Sequence, residues 1–284
     1  MKNNPFILLF QCKDQKGIVA AISNFILKSG GNILSADQYS TDPENGYFFF
    51  RAEFVVDRSE WTVQALSSVF SSVGAVFNAE WSIFDSRDRQ SMGILASRPG
   101  HCLFELLYLW RSGELRCDIP FVISNCDDHR ELVEQFKVPF FYVPATRDRR
   151  KEDELLSIIG ETDFLVLARY MLTLSADFLA SYDKDIINIH HGFLPSFRGA
   201  HPYRQAYGEG VKVIGATAHF VTEMLDEGPI ISQKVEPVSH RDSVESLTRK
   251  GRNLEKSALA SAVADYLDHR VIRFANKTII FEKS

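Results

Sequence analysis

Several features that many proteins use are scarce or absent in this sequence. No apolar run approaches the ~18 residues that a membrane-spanning helix needs. The four cysteines form no C-x-x-C pair and have no zinc-like spacing with histidines. Basic charge is also scarce, since the formal net charge is −5 and the densest basic run, Arg147–Lys151, is typical of a solvated loop. These absences predict free thiols and argue against a membrane protein and a nucleic-acid partner.

The composition that remains is that of an ordinary globular protein. The chain has 284 residues, of which 45% are hydrophobic and 24% charged. That length accommodates two domains, each with its own core. The first apolar run is followed by the charged stretch "KDQKG", where a signal peptide would need small residues for cleavage. We therefore expect a cytoplasmic protein.

The first 86 residues show one pattern of strands and helices. "FILLFQC" predicts a strand, "IVAAISNFILKSG" a helix, and two further strands, a second helix and a last strand follow. This β-α-β-β-α-β order predicts a ferredoxin-like α+β domain at residues 1–86. The charged stretch "DSRDRQS" then marks a boundary.

From Met92 onward apolar strands alternate with amphipathic helices. This alternation predicts a Rossmann-like α/β domain at residues 90–284, with an open, mostly parallel sheet. A long helix is expected from about Ser243 to His269, followed by one terminal strand, "VIRFANKTIIF". Ligands of such sheets bind beyond the carboxyl ends of the strands, where the strand "DIINIHH" places an amide and an imidazole.

The end of that strand is the first candidate site. Because strand side chains alternate, Asn188 and His190 point to one face and His191 to the other. Asp226, in the loop "TEMLDEGPI", could orient the His190 ring. From spacing alone, a turn-capping aspartate and a buried structural histidine are the favoured interpretations, and mid-strand His219 is also better interpreted as structural. The facing of the histidines disfavours a metal site.

Four motifs in this half of the chain resemble a known family. They are the N-x-H of "NIHH", the L-P-x-F-x-G of "LPSFRG", the G-x-T-x-H of "GATAH" and the L-D-x-G-P-I of "LDEGPI". Together they resemble the folate-dependent formyltransferase superfamily over residues 92–284. The N-terminal block, with "CKDQKGIVAAIS", resembles an ACT domain. This domain order, and "NIHH" itself, are similar to the formyltetrahydrofolate deformylase subfamily.

The resemblance implies roles for the candidate residues. Asn188 would donate to the formyl oxygen as negative charge develops there, His190 would transfer protons, and Asp226 would orient His190 and place the attacking water. The segment "ARYMLTLS" and residues 221–226 would hold the pterin. The implied substrate-binding residues are Met171, Leu172, Leu174, Val221, Thr222, Glu223 and the loop histidine His201, for which a backbone contact is the alternative.

The implied reaction is hydrolysis of 10-formyltetrahydrofolate to formate and tetrahydrofolate, linked to one-carbon and purine metabolism. The folate is the substrate, so neither a cofactor nor a metal is expected. Transformylases with a phosphorylated acceptor carry a glycine-rich phosphate loop, whereas "ASRPGHCLFELL" has a single glycine, which favours water as the acceptor. Transfer to an unphosphorylated amine and a non-catalytic folate-binding regulator remain the alternatives.

The ACT-like block has two equally open interpretations. It is either a dimerisation module without a ligand, making the protein a homo-oligomer, or a sensor of an amino-acid effector. The family's usual effector site would be bracketed by Asp14, Gly17, Gly31 and Asn32, where backbone amides and an asparagine side chain can hold an α-amino acid.

Overall fold

The computed structural model describes residues 4–42, 45–196 and 202–283. The chain divides into two compact units. The first unit runs to Arg89 and also takes in Asp268–Phe274 and the residues from Ile279 onward, while the second comprises Gln90–Leu267 and Ala275–Thr278.

The first unit is an antiparallel sheet with two helices, as the sequence predicts. Its elements are β1 (Phe6–Lys13), α1 (Ile18–Lys28), β2 (Asn32–Ser40), β3 (Tyr47–Val55), α2 (Val63–Phe77) and β4 (Glu80–Asp85). The strand order is β2-β3-β1-β4, and each neighbouring pair is antiparallel. This arrangement confirms the ferredoxin-like β-α-β-β-α-β prediction.

Both faces of this sheet are buried, by different parts of the chain. Alternate residues of β1, such as Leu8 and Phe10, share one core with the helices, where Phe10 meets Phe70 of α2 edge to face. The opposite face carries Phe49, which is packed with Ile272 and Phe281. The C-terminal segment therefore belongs to the core of the first unit.

The second unit is a larger sheet with helices between its strands. Its elements are β5 (Gln90–Ala96), α3 (His101–Ser112), β6 (Cys117–Asp118), β7 (Val122–Ser124), α4 (Arg130–Gln135), β8 (Phe140–Tyr142), α5 (Glu152–Ile159), β9 (Phe164–Ala168), α6 (Ala176–Tyr182), β10 (Ile186–His190), α7 (Pro202–Gly208), β11 (Val213–Phe220), β12 (Ile230–Pro237) and α8 (Val244–Leu267). The strand order is β12-β11-β10-β9-β5-β7-β8, with β6 also paired to β5. All pairs are parallel except β10–β11 and β11–β12, which confirms the mostly parallel sheet.

This strand order fixes where a ligand can bind. From β5 the chain first builds toward β8 and then returns to place β9 on the other side of β5. The reversal opens a crevice beyond the carboxyl ends of β5 and β9, and β10 ends beside it. The sheet therefore brings the end of β10 to the position where open α/β sheets bind ligands.

The C-terminal region confirms one prediction and corrects another. The long helix is present as α8, close to its predicted bounds. The predicted single terminal strand is wrong, because "VIRFANKTIIF" forms a hairpin of β13 (Val271–Phe274) and β14 (Lys277–Ile280). The chain reverses at Ala275, whose φ of 51° is left-handed, and the short polar "ANK" stretch gave only a weak turn signal.

The structure also bears on the predictions about the cysteines and about membrane-spanning helices. All four cysteines are free thiols, as predicted. Within the described ranges, no helix is both long and apolar enough to cross a membrane.

Candidate active site

The end of β10 and the end of β11 place three polar side chains together. Asn188 of β10 lies opposite His219 of β11 in the antiparallel register, so their side chains share one face of the sheet. The Asn188 Nδ2 atom is 3.2 Å from His219 Nε2. His190 lies two residues after Asn188 on the same strand, as the alternation predicts.

Asp226 completes this group from the loop between β11 and β12. Its Oδ2 lies 3.1 Å from His190 Nδ1, and its Oδ1 lies 3.7 Å from His219 Nε2. Burial alone would raise the pKa of Asp226, but the hydrogen bond from His190 and the nearby His219 ring outweigh it and hold that pKa well below its usual range. Asp226 is therefore a carboxylate at neutral pH, and it fixes the His190 ring by binding Nδ1–H, so that proton transfer falls to Nε2.

His219 is the site residue that sequence reasoning missed. Its Nδ1 lies 2.8 Å from the Phe220 carbonyl oxygen, which can only accept, so Nδ1 carries a proton and Nε2 can accept from the Asn188 amide. The Asn188 amide then donates one N–H to His219 and keeps its second N–H for a ligand. The missing signal was register, because only the pairing of β10 with β11 places His219 opposite Asn188.

His191 departs from its predicted orientation. It lines the same cleft as His190, and the two rings lie 5.2 Å apart. Because β10 ends at His190, strand alternation no longer governs the next residue. Burial lowers the pKa of His191 to about 3, so the ring is neutral at physiological pH.

A single cleft surrounds these groups. Its empty volume is about 990 Å³, including the solvent into which it opens, and its floor is formed by Asn188, His190, His219 and Asp226. The expected substrate-binding residues that the structure places around this cleft are Met171, Leu172, Leu174, Val221, Thr222 and Glu223. His201 lies outside the described residues. The arrangement is concave, with apolar walls and a few convergent polar groups, as small-molecule sites are.

Six further residues line the cleft. Arg169, Tyr170, Thr173, Met224 and Leu225 lie within the two segments that were expected to hold the pterin, whereas Arg147 was not expected at the site. Arg147 belongs to the basic run interpreted above as a solvated loop, and the structure places it at the cleft. Met224 and Leu225 are exposed, so they add apolar surface at the mouth.

One cluster in the described residues has the composition of a metal site. His101, Cys102 and Glu255 place their ligand atoms within 4.8 Å of one another. However, Glu255 already pairs with the Arg169 guanidinium, whose Nε lies 3.2 Å away. Burial raises the pKa of the Cys102 thiol, which keeps its proton. A paired carboxylate beside a protonated thiol does not suit a cation.

The four predicted effector residues are not brought together within one chain. Asp14 and Gly17 precede α1, whereas Gly31 and Asn32 follow it, and its 11 residues span about 16 Å. Asp14 accepts a hydrogen bond from Ser40. Gly31 has a packing role, because a Cβ there would lie 2.8 Å from Val56 Cγ1.

Family models match both halves of the chain. The formyl transferase model matches residues 92–263, and the ACT domain model matches residues 6–69. Both matches agree with the two kinds of sheet described above.

Two relatives match nearly the whole chain, and a third matches about two thirds of it. The formyltetrahydrofolate deformylase of Bacillus subtilis (strain 168) is 47% identical over 278 residues, which cover 96% of this chain and 93% of that protein. The crystal structure of a formyltetrahydrofolate deformylase from Pseudomonas syringae pv. tomato matches with a TM-score of 0.94 and 43% identity, covering 98% and 94% of the two chains. Glycinamide ribonucleotide transformylase 1 from Symbiobacterium toebii is 31% identical with a TM-score of 0.63, covering 68% of this chain and 95% of that one.

Proposed function

This chain belongs to the formyltetrahydrofolate deformylase family, and from that membership we propose that its cleft hydrolyses 10-formyltetrahydrofolate to formate and tetrahydrofolate. The observation that carries the proposal is the contact of 3.1 Å between His190 Nδ1 and Asp226 Oδ2, on the same cleft floor as the Asn188 amide. An oriented imidazole beside an amide donor is what hydrolysis of an N-formyl group requires.

In the proposed reaction, each of these residues has one task. The second N–H of Asn188 donates to the formyl oxygen as it becomes an oxyanion, because the first is bound to His219. A water molecule adds to the formyl carbon and gives its proton to His190 Nε2. The C–N10 bond then breaks, N10 takes the proton from His190, and formic acid, which ionises to formate by releasing a proton to solvent, leaves with tetrahydrofolate. Asp226 stabilises the imidazolium between the two transfers.

Water is favoured as the acceptor by the turn between β5 and α3. Gly100, the residue before α3, is packed so closely that a Cβ would lie 2.8 Å from both the His129 and the Phe104 rings. The His129 ring nitrogen Nε2 lies 2.9 Å from the Arg98 carbonyl oxygen, so its ring is fixed over this turn. The two rings pack beside Gly100, and a turn with one glycine exposes fewer backbone N–H groups to a phosphate than a glycine-rich loop does.

One assay tests the proposal against both alternatives. Purified protein is incubated with 10-formyltetrahydrofolate, with and without saturating glycinamide ribonucleotide or unphosphorylated amines, and the products are identified by mass spectrometry. We expect equal amounts of formate and tetrahydrofolate, with the ribonucleotide and the amines unchanged. A formylated amine as the main product would establish a transferase, and binding of folate without turnover would establish a regulator.

The proposal extends to the cofactor requirement, the role of the ACT domain and the location of the protein. The reaction needs no cofactor or metal, because the folate is the substrate and His190 and Asp226 supply the acid–base chemistry. The ACT domain binds an amino-acid effector or holds together a homo-oligomer. The protein acts in the cytoplasm. Formate release measured with and without individual amino acids, together with the mass of the protein in solution, tests the role of the ACT domain.

A further inference from the structure

One wall of the cleft is a short segment between β9 and α6. Residues 170–174 of this segment all line the cleft, and they precede Ser175, the N-cap of α6. The segment contains no helix or strand of its own. Its shape must therefore be fixed by contacts from the elements around it.

The first end of the segment is fixed by Glu255 of α8. Arg169 has a left-handed φ of 64°, which is uncommon for a residue with a side chain, and its Nε lies 3.2 Å from Glu255 Oε2. Glu255 is 1% exposed. Its other contacts are to His101 Nε2 at 2.8 Å and to the Tyr203 hydroxyl, which donates to Oε1 at 2.7 Å. This carboxylate thus joins the turn at Arg169 to two helices.

Glu255 keeps its charge despite its burial. Burial alone would raise the pKa of this carboxyl, but the hydrogen bond from His101 and the charge of Arg169 outweigh it and lower the pKa. A buried carboxylate paired with a guanidinium is held in one geometry, because loss of either partner would leave an uncompensated buried charge.

The second end is fixed by Glu152 of α5. Ser175 donates two hydrogen bonds to this carboxylate, one from its backbone N–H to Oε1 at 2.7 Å and one from its hydroxyl to Oε2. Both are charge-assisted bonds to one group, which fix position as well as direction. The negative charge of Glu152 also reaches Tyr170, where burial and this charge together raise the pKa to about 12.

A neutral contact holds the middle of the segment. The Met171 backbone N–H donates to the Ser97 hydroxyl at 3.0 Å, and Ser97 is buried at the end of β5. The segment is therefore attached at its middle to the sheet and at its two ends to helices.

We propose that Glu255 and Glu152 are positioning residues for the folate, which hold the two ends of the segment from Arg169 to Ser175 in the shape that binds the pterin ring. This inference rests on the proposed function. Neither carboxylate lines the cleft, so each acts through the segment rather than on the substrate. In this proposal the segment contacts the ring and not the formyl group, so distortion of the segment weakens binding of the substrate and of the transition state equally. Such a uniform loss of binding raises KM and leaves kcat nearly unchanged.

The test compares variants at Glu152 with a matched control on the same turn of α5. Glu154 is exposed and pairs with Lys151 at 3.2 Å, so Glu154→Ala removes a carboxylate without touching the segment. We expect Glu152→Ala to raise KM for 10-formyltetrahydrofolate about tenfold, with kcat within about twofold of wild type, as loss of charge-assisted hydrogen bonds would. Glu152→Gln should recover part of this loss, because its amide oxygen still accepts from Ser175. Glu154→Ala should behave as wild type.

Glu255→Gln tests the other end and is expected to raise KM in the same way. If that variant does not fold, Tyr203→Phe replaces it, since phenylalanine keeps the ring but lacks the hydroxyl that donates to Glu255 Oε1, and Tyr203 does not line the cleft. A general loss of stability would lower the active fraction, and so kcat, without raising KM. The inference would be overturned if KM were unchanged both in folded Glu152→Ala and in the variant at the Glu255 end. A fall in kcat alone would also overturn it.

Calorimetric titration with tetrahydrofolate separates this inference from the proposed function. If wild type releases no formate, the proposed function fails, but the titration still measures the pterin pocket. Weaker tetrahydrofolate binding in Glu152→Ala and Glu255→Gln than in Glu154→Ala would then support the positioning role. Equal binding in all of these proteins would overturn it.

Discussion

Asn188 and His219 face each other across the β10–β11 pair, with Asn188 Nδ2 at 3.2 Å from His219 Nε2. Because the Phe220 carbonyl fixes the proton on His219 Nδ1, the contact has one direction, from the amide to the imidazole. The amide of Asn188 is thus held in one orientation before substrate arrives. Such preorganised donors stabilise a developing oxyanion without reorganisation.

The first prediction concerns this pair. His219→Ala should lower kcat about tenfold or more, because the amide of Asn188 loses the acceptor that orients it. Asn188→Ala should lower kcat further, and the double variant should be no worse than Asn188→Ala alone, since His219 acts through Asn188. Formate release by the four proteins measures this coupling. Fully additive losses would show that His219 acts independently of the amide.

The second prediction concerns His190 and Asp226. His190→Ala and Asp226→Ala should each reduce formate release by a factor on the order of 10² or more, because acid–base groups act mainly in the transition state. Tetrahydrofolate binding should stay within several-fold of wild type. His240 is exposed, so His240→Ala is the matched control. Near-normal turnover in either folded variant would remove that residue from the mechanism.

The third prediction concerns acid stability and Asp85 in the first unit. Burial would raise the pKa of Asp85, but hydrogen bonds from Arg87 and Arg58 lower it well below its ordinary value. A depressed carboxyl pKa in the folded state stabilises the protein above the unfolded value of 3.8, and this contribution is lost as the pH falls through the folded pKa. Asp85→Asn should therefore lower the free energy of unfolding by about 2 kcal/mol at pH 7 and by less at pH 3.

Urea unfolding followed by tryptophan fluorescence measures this difference at each pH. Asp88 is exposed and lies on the same turn, which makes Asp88→Asn the control. If the difference between wild type and Asp85→Asn were the same at pH 3 and pH 7, the charge of Asp85 would not be its cause.

The fourth prediction concerns removal of the first unit. A chain shortened to begin at Arg89 keeps every described residue that lines the cleft, so it should bind tetrahydrofolate within several-fold of the full protein. It should also bind an apolar dye, because Ile272 and Phe281 lose Phe49, the residue that covers them. Loss of folate binding in a shortened chain that still folds would mean that the first unit contributes to the pocket. Any response to amino acids should disappear with the ACT domain.

The sequence by itself determined the two fold classes and half of the site. Strand and helix periods are local properties of a chain, so the ferredoxin-like order and the alternating α/β order could both be predicted before any contact was known. The same alternation placed Asn188 and His190 on one face. Asp226 came from a motif, and its contact with His190 Nδ1 was a hypothesis until the loop and the strand were seen together.

Only the tertiary structure decided which residues from distant parts of the chain meet. His219 faces Asn188 because of the β10–β11 register, and a shift of one residue would have turned it to the other side of the sheet. His191 reaches the cleft because β10 ends one residue earlier. Gly31 lies far from Asp14 because α1 separates them. Strand register, strand ends and the packing of helices depend on long-range contacts, and no local period in the sequence encodes these.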